Sequence, residues 1–138
     1  MILPSTGDTV TVGTLAACFA LLTVKHVLAD FVFQTRWMAL GKDSRDGWAL
    51  PLLVHCSVHG LLTTALVGAV VPGLWFLGAV DFAVHIVCDR AKGYAVSRAG
   101  LGPEDAWFWW LLGIDQALHH TTDFALSLVM ALALAAAA

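Results

Sequence analysis

Ten histidine and aspartate residues recur, mostly at four-residue intervals, within stretches that are otherwise apolar. Residues four apart share one face of a helix, so each set would line one side of its helix. Neutral imidazole and carboxylate groups are ligands of zinc, manganese, iron and nickel ions. The ten residues are His26, Asp30, His55, His59, Asp81, His85, Asp89, Asp115, His119 and Asp123.

This pattern predicts a metal site. Carboxylate and imidazole groups that project inward from several helices hold the ions of di-metal helix bundles. We expect one or two divalent ions, with zinc favoured and manganese or iron as alternatives. A hydrogen-bonded network that only holds the helices together, or a proton relay, would use the same residue types. The candidate ligands are His26, Asp30, His55, His59, Asp81, His85, Asp89, Asp115 and His119.

The composition indicates an integral membrane protein. Of 138 residues, 59% are hydrophobic and 12% are charged, against about 45–50% and about 25% in soluble domains. A chain of this size cannot hide such an excess in one core, because small domains bury only about two-thirds of their surface. The net charge of −3 offers nucleic acid no general attraction. We expect one transmembrane domain over residues 1–138 and no nucleic-acid partner.

Four apolar stretches are long enough to be considered as membrane-spanning helices, which need about 20 residues. They cover Val10–Phe33, Ala49–Val71, Gly73–Asp89 and Ala106–Ala137. The expected fold is therefore an all-α bundle of four transmembrane helices. Basic residues fall in the first and third connections, which places both termini outside by the positive-inside rule. They are Arg36, Lys42 and Arg45, followed by Arg90, Lys92 and Arg98.

The polar residues also agree in depth. They come late in the first and third helices and early in the second and fourth, so alternating helices would place them in one layer of the cytoplasmic half. The triplet Asp81, His85, Asp89 recurs 34 residues later as Asp115, His119, Asp123. Duplication and convergence on a helical ligand spacing both explain this repeat.

The same residues carry a family resemblance. The segment His26-Val-Leu-Ala-Asp30-Phe-Val-Phe-Gln34-Thr-Arg-Trp37-Met38-Ala…Lys42 resembles the signature of a bacterial and phage membrane-protein family, domain of unknown function 3307. The later motifs of that family are similar, in the same order, to three segments of this sequence. They are His55-xxx-His59, His85-xxx-Asp89-xx-Lys92 and Asp115-Gln116-xx-His119. The resemblance covers about Val24 to His119 and leaves Asp81 and Asp123 outside. It implies that the matching residues are functional and that the protein is a multi-pass protein of the bacterial inner membrane. It implies no activity.

The leading hypothesis is a metal-dependent hydrolase that acts at the cytoplasmic leaflet. A bound divalent ion activates water and polarises a phosphoryl or carbonyl oxygen. Asp30, Asp89 and Asp115 would be further ligands or a general base, and Lys92 would hold an anionic substrate. Membrane lipids are the expected surroundings, and a lipid-linked phosphoester or ester is the expected substrate class.

Two other functions stay open. A metal-ion or proton transporter needs polar groups through both halves of the bilayer, whereas the outer halves of these helices carry only scattered Thr and Ser. Assembly of several chains into a homo-oligomer would lift that restriction. A structural protein would use the histidines and aspartates for packing alone. The roles of Asp81, His120 and Asp123 stay open under every hypothesis.

Overall fold

Residues 9–137 form five α-helices, four of which are long and apolar enough to cross a membrane. The computed structural model describes residues 9–137. The predicted all-α membrane bundle is confirmed, and these helices support a multi-pass membrane protein. The termini lie outside the described residues. The helices are α1 (Val12–Leu28), α2 (Arg36–Lys42), α3 (Ala49–Val70), α4 (Leu77–Ala99) and α5 (Ala106–Ala136), with a π-helical turn at Ala29–Phe33 and a 3-10 turn at Pro72–Leu74.

Short-range capping explains where several helices begin and end. The Thr11 side chain accepts a hydrogen bond from the Thr14 backbone N–H and starts α1, as N-cap threonines do. Thr35 caps α2 in the same way through Met38. Gly100 adopts a left-handed conformation, φ 63°, and ends α4, because glycine reaches that region without a side-chain penalty.

Two predicted boundaries were wrong. The third spanning helix does not end at Asp89 but continues as α4 to Ala99, so Arg90, Lys92 and Arg98 lie on a helix rather than in a loop. The apolar run ends at Asp89, but nothing breaks the helix before Gly100. The first predicted loop contains the short helix α2, which follows the Thr35 cap.

The four long helices form a closed bundle. The helix α1 packs against α5, α5 against α4, and α4 against α3, while α2 lies beside the start of α3. The helices α3 and α4 approach most closely at Gly60 and Gly78, where a Cβ atom on Gly60 would lie 2.9 Å from the Gly78 carbonyl oxygen. Small residues permit this backbone contact between membrane helices.

The bundle interior is layered along its axis. One end holds an apolar core that draws on α1, α3, α4, α5 and the turn before α4. Buried charged and imidazole side chains fill the other part, and α2 lies near that polar end. The core residues are Cys18, Leu22, Val67, Leu74, Leu77, Leu126, Met130 and Ala131.

Candidate metal centre

Five imidazole rings from four helices meet inside the bundle. The ring centroids of His59 and His85 are 3.9 Å apart, and those of His85 and His119 are stacked at 4.1 Å. His55 contacts His59 at 4.7 Å, and His26 lies 5.1 Å from His59. All five side chains are at most 2% exposed. Neutral imidazole can form such a cluster, and it is the form that binds metals.

His85 is oriented as metal-binding histidines are. Its Nδ1 lies 2.9 Å from the Asp81 backbone oxygen and 3.3 Å from Asp81 Oδ1. Both partners are acceptors, so Nδ1 carries the proton and Nε2 presents a lone pair. Nε2 is buried and has no hydrogen-bond partner among the described residues. A ligating histidine donates its other ring N–H to a carbonyl or carboxylate in this way.

The other imidazoles also have unpartnered buried nitrogens. Within the described part of the chain, the Nδ1 atoms of His26, His55, His59 and His119 lack a hydrogen bond. Buried polar atoms are paired in the large majority of cases. A network of hydrogen bonds within the bundle therefore leaves much of this cluster unsatisfied.

Asp30 is the carboxylate on the α1 side of the cluster. Its Oδ1 lies 3.1 Å from His59 Nε2 and 3.5 Å from His55 Nε2, and its Oδ2 lies 3.2 Å from His26 Nε2. Gln116 donates a hydrogen bond to Oδ2 at 3.3 Å. The π-helical turn carries Asp30, and such turns are frequent at functional sites.

Asp89 and Asp115 form the opposite side. Asp89 Oδ2 lies 3.6 Å from the Nε2 atoms of both His55 and His119, and Asp115 Oδ1 lies 3.4 Å from His119 Nε2. The Lys42 ammonium lies 2.6 Å from Asp89 Oδ1 and 2.9 Å from His55 Nε2. A lysine thus neutralises part of this carboxylate pair.

Three groups of side chains could each hold a metal ion. Within each group the candidate ligand atoms lie within 4.8 Å of one another. Zinc with ligand bonds of about 2.0–2.2 Å holds its ligand atoms roughly 3.4 Å apart, so small side-chain movements would close a site. The groups are His26–His59–His85, Asp30–His55–His59 and Asp89–Asp115–His119.

A buried ion cluster lies between the imidazoles and the apolar core. Lys25 Nζ lies 3.0 Å from Asp81 Oδ2 and 3.6 Å from Asp123 Oδ1. Thr63 donates a 2.7 Å hydrogen bond to the same Asp81 oxygen. Lys25 is therefore an ammonium group buried between two carboxylates.

The two repeated triplets on α4 and α5 explain why the polar side chains meet at three successive levels along the bundle. Since α4 and α5 run antiparallel, the first member of one triplet faces the last member of the other. Asp81 and Asp123 share Lys25 at one level, and His85 stacks on His119 at the next. Lys92 Nζ lies 3.9 Å from Asp89 and 4.0 Å from Asp115 at the third level.

A polar cavity of about 250 Å³ opens beside the carboxylates. Asp30 and Asp115 contribute one oxygen-rich part of its wall, and Lys42 and Lys92 contribute ammonium groups. Lys92 also contacts Asp43 at 3.2 Å. Through Asp30 and Asp115, the cavity connects two of the predicted ligands to the outside of the bundle at its polar end.

The structure brings most of the predicted site residues together but separates Asp81 from the ligand groups and Asp89 from the cavity wall. Eight of the nine candidate ligands belong to the three groups; among the described residues, Asp81 belongs to none of them. Asp81 instead contacts Lys25 and orients His85. Three of the four candidate catalytic residues line the cavity: Asp30, Lys92 and Asp115. The fourth, Asp89, is buried and contacts Lys42, which lines the cavity.

Sequence reasoning missed Lys42 as a site residue. It was counted among the basic residues of the first loop, but the structure buries it to 6% exposure against Asp89 and His55. The available signal was its place at the end of the motif that begins at His26. Asp43, which contacts Lys92, carried no such signal.

Comparison with known proteins yields a family but no characterised relative. A family model described as "Protein of unknown function (DUF3307)" matches residues 18–137. No curated protein and no solved structure matches the chain. The match includes every residue of the imidazole and carboxylate cluster, and it confirms the resemblance drawn from the motifs. The chain belongs to the DUF3307 family.

Proposed function

We propose that this protein is a membrane-embedded, metal-dependent hydrolase. The observation that supports it best is the set of buried imidazole nitrogens without hydrogen-bond partners, above all His85 Nε2, whose ring is held by Asp81. Divalent ions of the zinc type take such nitrogens together with carboxylates. The proposed ligands are the members of the three groups except Asp30, whose proposed role is given below.

The buried charges also favour a bound cation. Asp30, Asp81, Asp89, Asp115 and Asp123 contribute five carboxylates, and Asp43, the carboxylate nearest to Lys92, is the sixth. Three lysines, Lys25, Lys42 and Lys92, contact all of them except Asp30. With neutral imidazoles there is an excess of three negative charges. Uncompensated charges are costly in the interior of a protein, and a divalent cation would offset most of this excess.

The shape of the polar layer favours hydrolysis over transport. A transporter must open its site to both sides of the membrane. Here the cavity opens at one end, while the apolar core that includes Leu22 and Met130 fills the other. An interfacial enzyme needs access from one side only.

The residues at the cavity can be assigned roles. When bound, the ion supplies Lewis-acid chemistry that activates water and polarises the substrate oxygen. Asp30 accepts a proton from the attacking water, whose oxygen bonds to phosphorus or to the acyl carbon. The ester bond from that atom to the alcohol oxygen breaks, and the alcohol takes up a proton. Gln116 holds the Asp30 carboxylate, and Lys42 and Lys92 bring positive charge to the cavity wall.

Asp30→Asn tests this assignment. We expect hydrolysis to fall by at least about 100-fold, as is typical of general-base removal, while the metal content falls less, because asparagine keeps one side-chain oxygen as an acceptor. Asp46→Asn, the same change at an exposed position, should alter neither. Elemental analysis of detergent-purified protein and turnover of phosphomonoesters, phosphodiesters and carboxylic esters supply the two measurements. Metal-loaded protein that turns over none of them, but carries metal ions into proteoliposomes, would replace this proposal by transport.

We also propose that the cavity faces the cytoplasm, because the basic residues concentrate at this end of the bundle. The loop between α2 and α3 is then cytoplasmic. A Ser44→Cys variant that also carries Cys88→Ala should react with a membrane-impermeant maleimide in inverted vesicles and stay unlabelled in intact cells. Labelling in intact cells would reverse the orientation.

A further inference from the structure

An apolar groove adjoins the polar cavity on the outer surface of the bundle. It has a volume of about 240 Å³ and lies between α4 and α5. Two polar residues, Lys92 and Asp115, line this groove and also the cavity. The remaining lining residues are apolar: Val87, Cys88, Ala91, Leu111, Ile114 and Leu118.

The groove faces the region where lipid chains lie. Val87 is 68% exposed and Ile114 is 54% exposed on the surface of helices that span the membrane. From Lys92 to Val87 the groove follows α4 for about 7.5 Å at 1.5 Å per residue. It therefore runs from the polar end of the bundle toward the middle of the membrane.

Exposed aromatic residues indicate the depth of the cavity. Trp107, Trp109 and Trp110 are 57–70% exposed at the start of α5, as in the aromatic belts at membrane interfaces. Asp115 follows Trp110 by five residues, about 7.5 Å along the helix. Phe31, at the rim of the cavity, is 77% exposed. The mouth of the cavity thus lies near the level of lipid head groups.

We infer that the substrate is a membrane lipid with an anionic phosphate head group, whose acyl chain lies in this groove and whose head group enters the cavity beside Lys92. This inference rests on the proposed hydrolase function. It explains why one lysine and one aspartate line both spaces, because the junction of chain and head group would lie between them.

The local charge explains why the cavity would accept an anionic head group only when the metal is bound. Lys92 contacts Asp43, Asp89 and Asp115, and Lys42 contacts Asp89. With Asp30, which also lines the cavity, four carboxylates and two ammonium groups sum to two negative charges. A divalent cation at Asp89, Asp115 and His119 cancels this sum, so that the cation and the nearby Lys92 ammonium can attract a phosphate.

The test uses the non-hydrolysable phosphonate analogue of phosphatidic acid with a photoreactive diazirine in one acyl chain. In phosphatidylcholine vesicles that contain the metal-loaded protein, we expect labelled peptides from α4 and α5 at the groove. Unlabelled analogue should compete, whereas glycerol phosphate, which has the head group without the chain, should not. Diazirine-bearing phosphatidylcholine should label the groove weakly, and chelation should abolish the preference for the anionic lipid.

Two groove variants keep the test sharp. Ala91→Trp and Ile114→Trp fill opposite walls, and each should weaken labelling by at least about tenfold, because each displaced methylene group contributes about fourfold to binding. Val80→Trp is the control, since Val80 is 43% exposed on the same helix as Ala91 but outside the groove. These exposed positions leave the interior of the bundle unchanged.

The outcomes separate this inference from the proposed function. If the protein holds metal and hydrolyses soluble phosphoesters, but the groove variants label like Val80→Trp, the groove inference is wrong and the hydrolase proposal stands. Equal labelling by the neutral lipid would also overturn it. Failure to find metal in the same samples would instead contradict the proposed function.

Discussion

Replacement of His59 by alanine should remove bound metal and hydrolytic activity together. His59 belongs to two of the three candidate ligand groups, and its ring lies 3.9 Å from that of His85 and 4.7 Å from that of His55. Loss of an outer-shell partner typically weakens metal binding by 10–100-fold. Loss of a ligand shared by two groups should weaken it by more than about 100-fold, which elemental analysis after gel filtration would detect.

The matched control is His120→Ala. His120 follows the ligand His119 on α5 but is 41% exposed and belongs to none of the groups found among the described residues. Its metal content and activity should match the wild type. The His59→Ala sample must have the elution volume and the circular-dichroism spectrum of the folded wild type. If such a sample contains as much metal as the wild type, the proposed metal centre is contradicted. Equal loss in both variants would indicate a general packing defect instead.

Replacement of Lys25 by methionine should destabilise the bundle strongly. The side chain is 2% exposed, and its ammonium group is shared by Asp81 and Asp123. Removal of one partner from a buried ion pair leaves an uncompensated charge and costs about 3–5 kcal/mol. Methionine keeps much of the length and apolar character of the lysine stem, so most of the effect comes from charge. Thermal unfolding in a mild detergent, followed by circular dichroism, would measure it.

A second change separates charge from packing in the Lys25 variant. Asp123 has no hydrogen bond through either oxygen within the described residues, so Asp123→Asn removes a negative charge without breaking such a bond. The double variant Lys25→Met/Asp123→Asn should therefore recover part of the lost stability. Arg98→Met, which removes a positive charge from an exposed position on α4, should unfold like the wild type. A Lys25→Met protein as stable as Arg98→Met would show that the buried cluster does not stabilise the fold.

Local features of the sequence predicted the membrane bundle and most of the candidate site. Long apolar stretches determine where helices cross a membrane, because unpaired backbone groups are too costly in hydrocarbon. Four-residue spacing determines that side chains such as His26 and Asp30 share one helix face. The expected depths of the four spans brought His55, His85 and His119 to one layer, and the structure places their rings together.

Other features depend on contacts between residues that are distant in sequence. Hydropathy marks only where an apolar run ends, so it predicted that the third span ends at Asp89. The helix continues to Ala99 and ends where Gly100 adopts a left-handed conformation. Lys42 reads as a loop cation until α2 carries it to Asp89, 47 positions later in the chain. The sequence by itself determined the four apolar spans and the helix faces that carry polar groups. Only the tertiary structure decided which polar residues meet. The antiparallel packing of α4 and α5 brings Asp81 and Asp123 to the same lysine, Lys25, and leaves Asp89 and Asp115 near Lys92 at the cavity end.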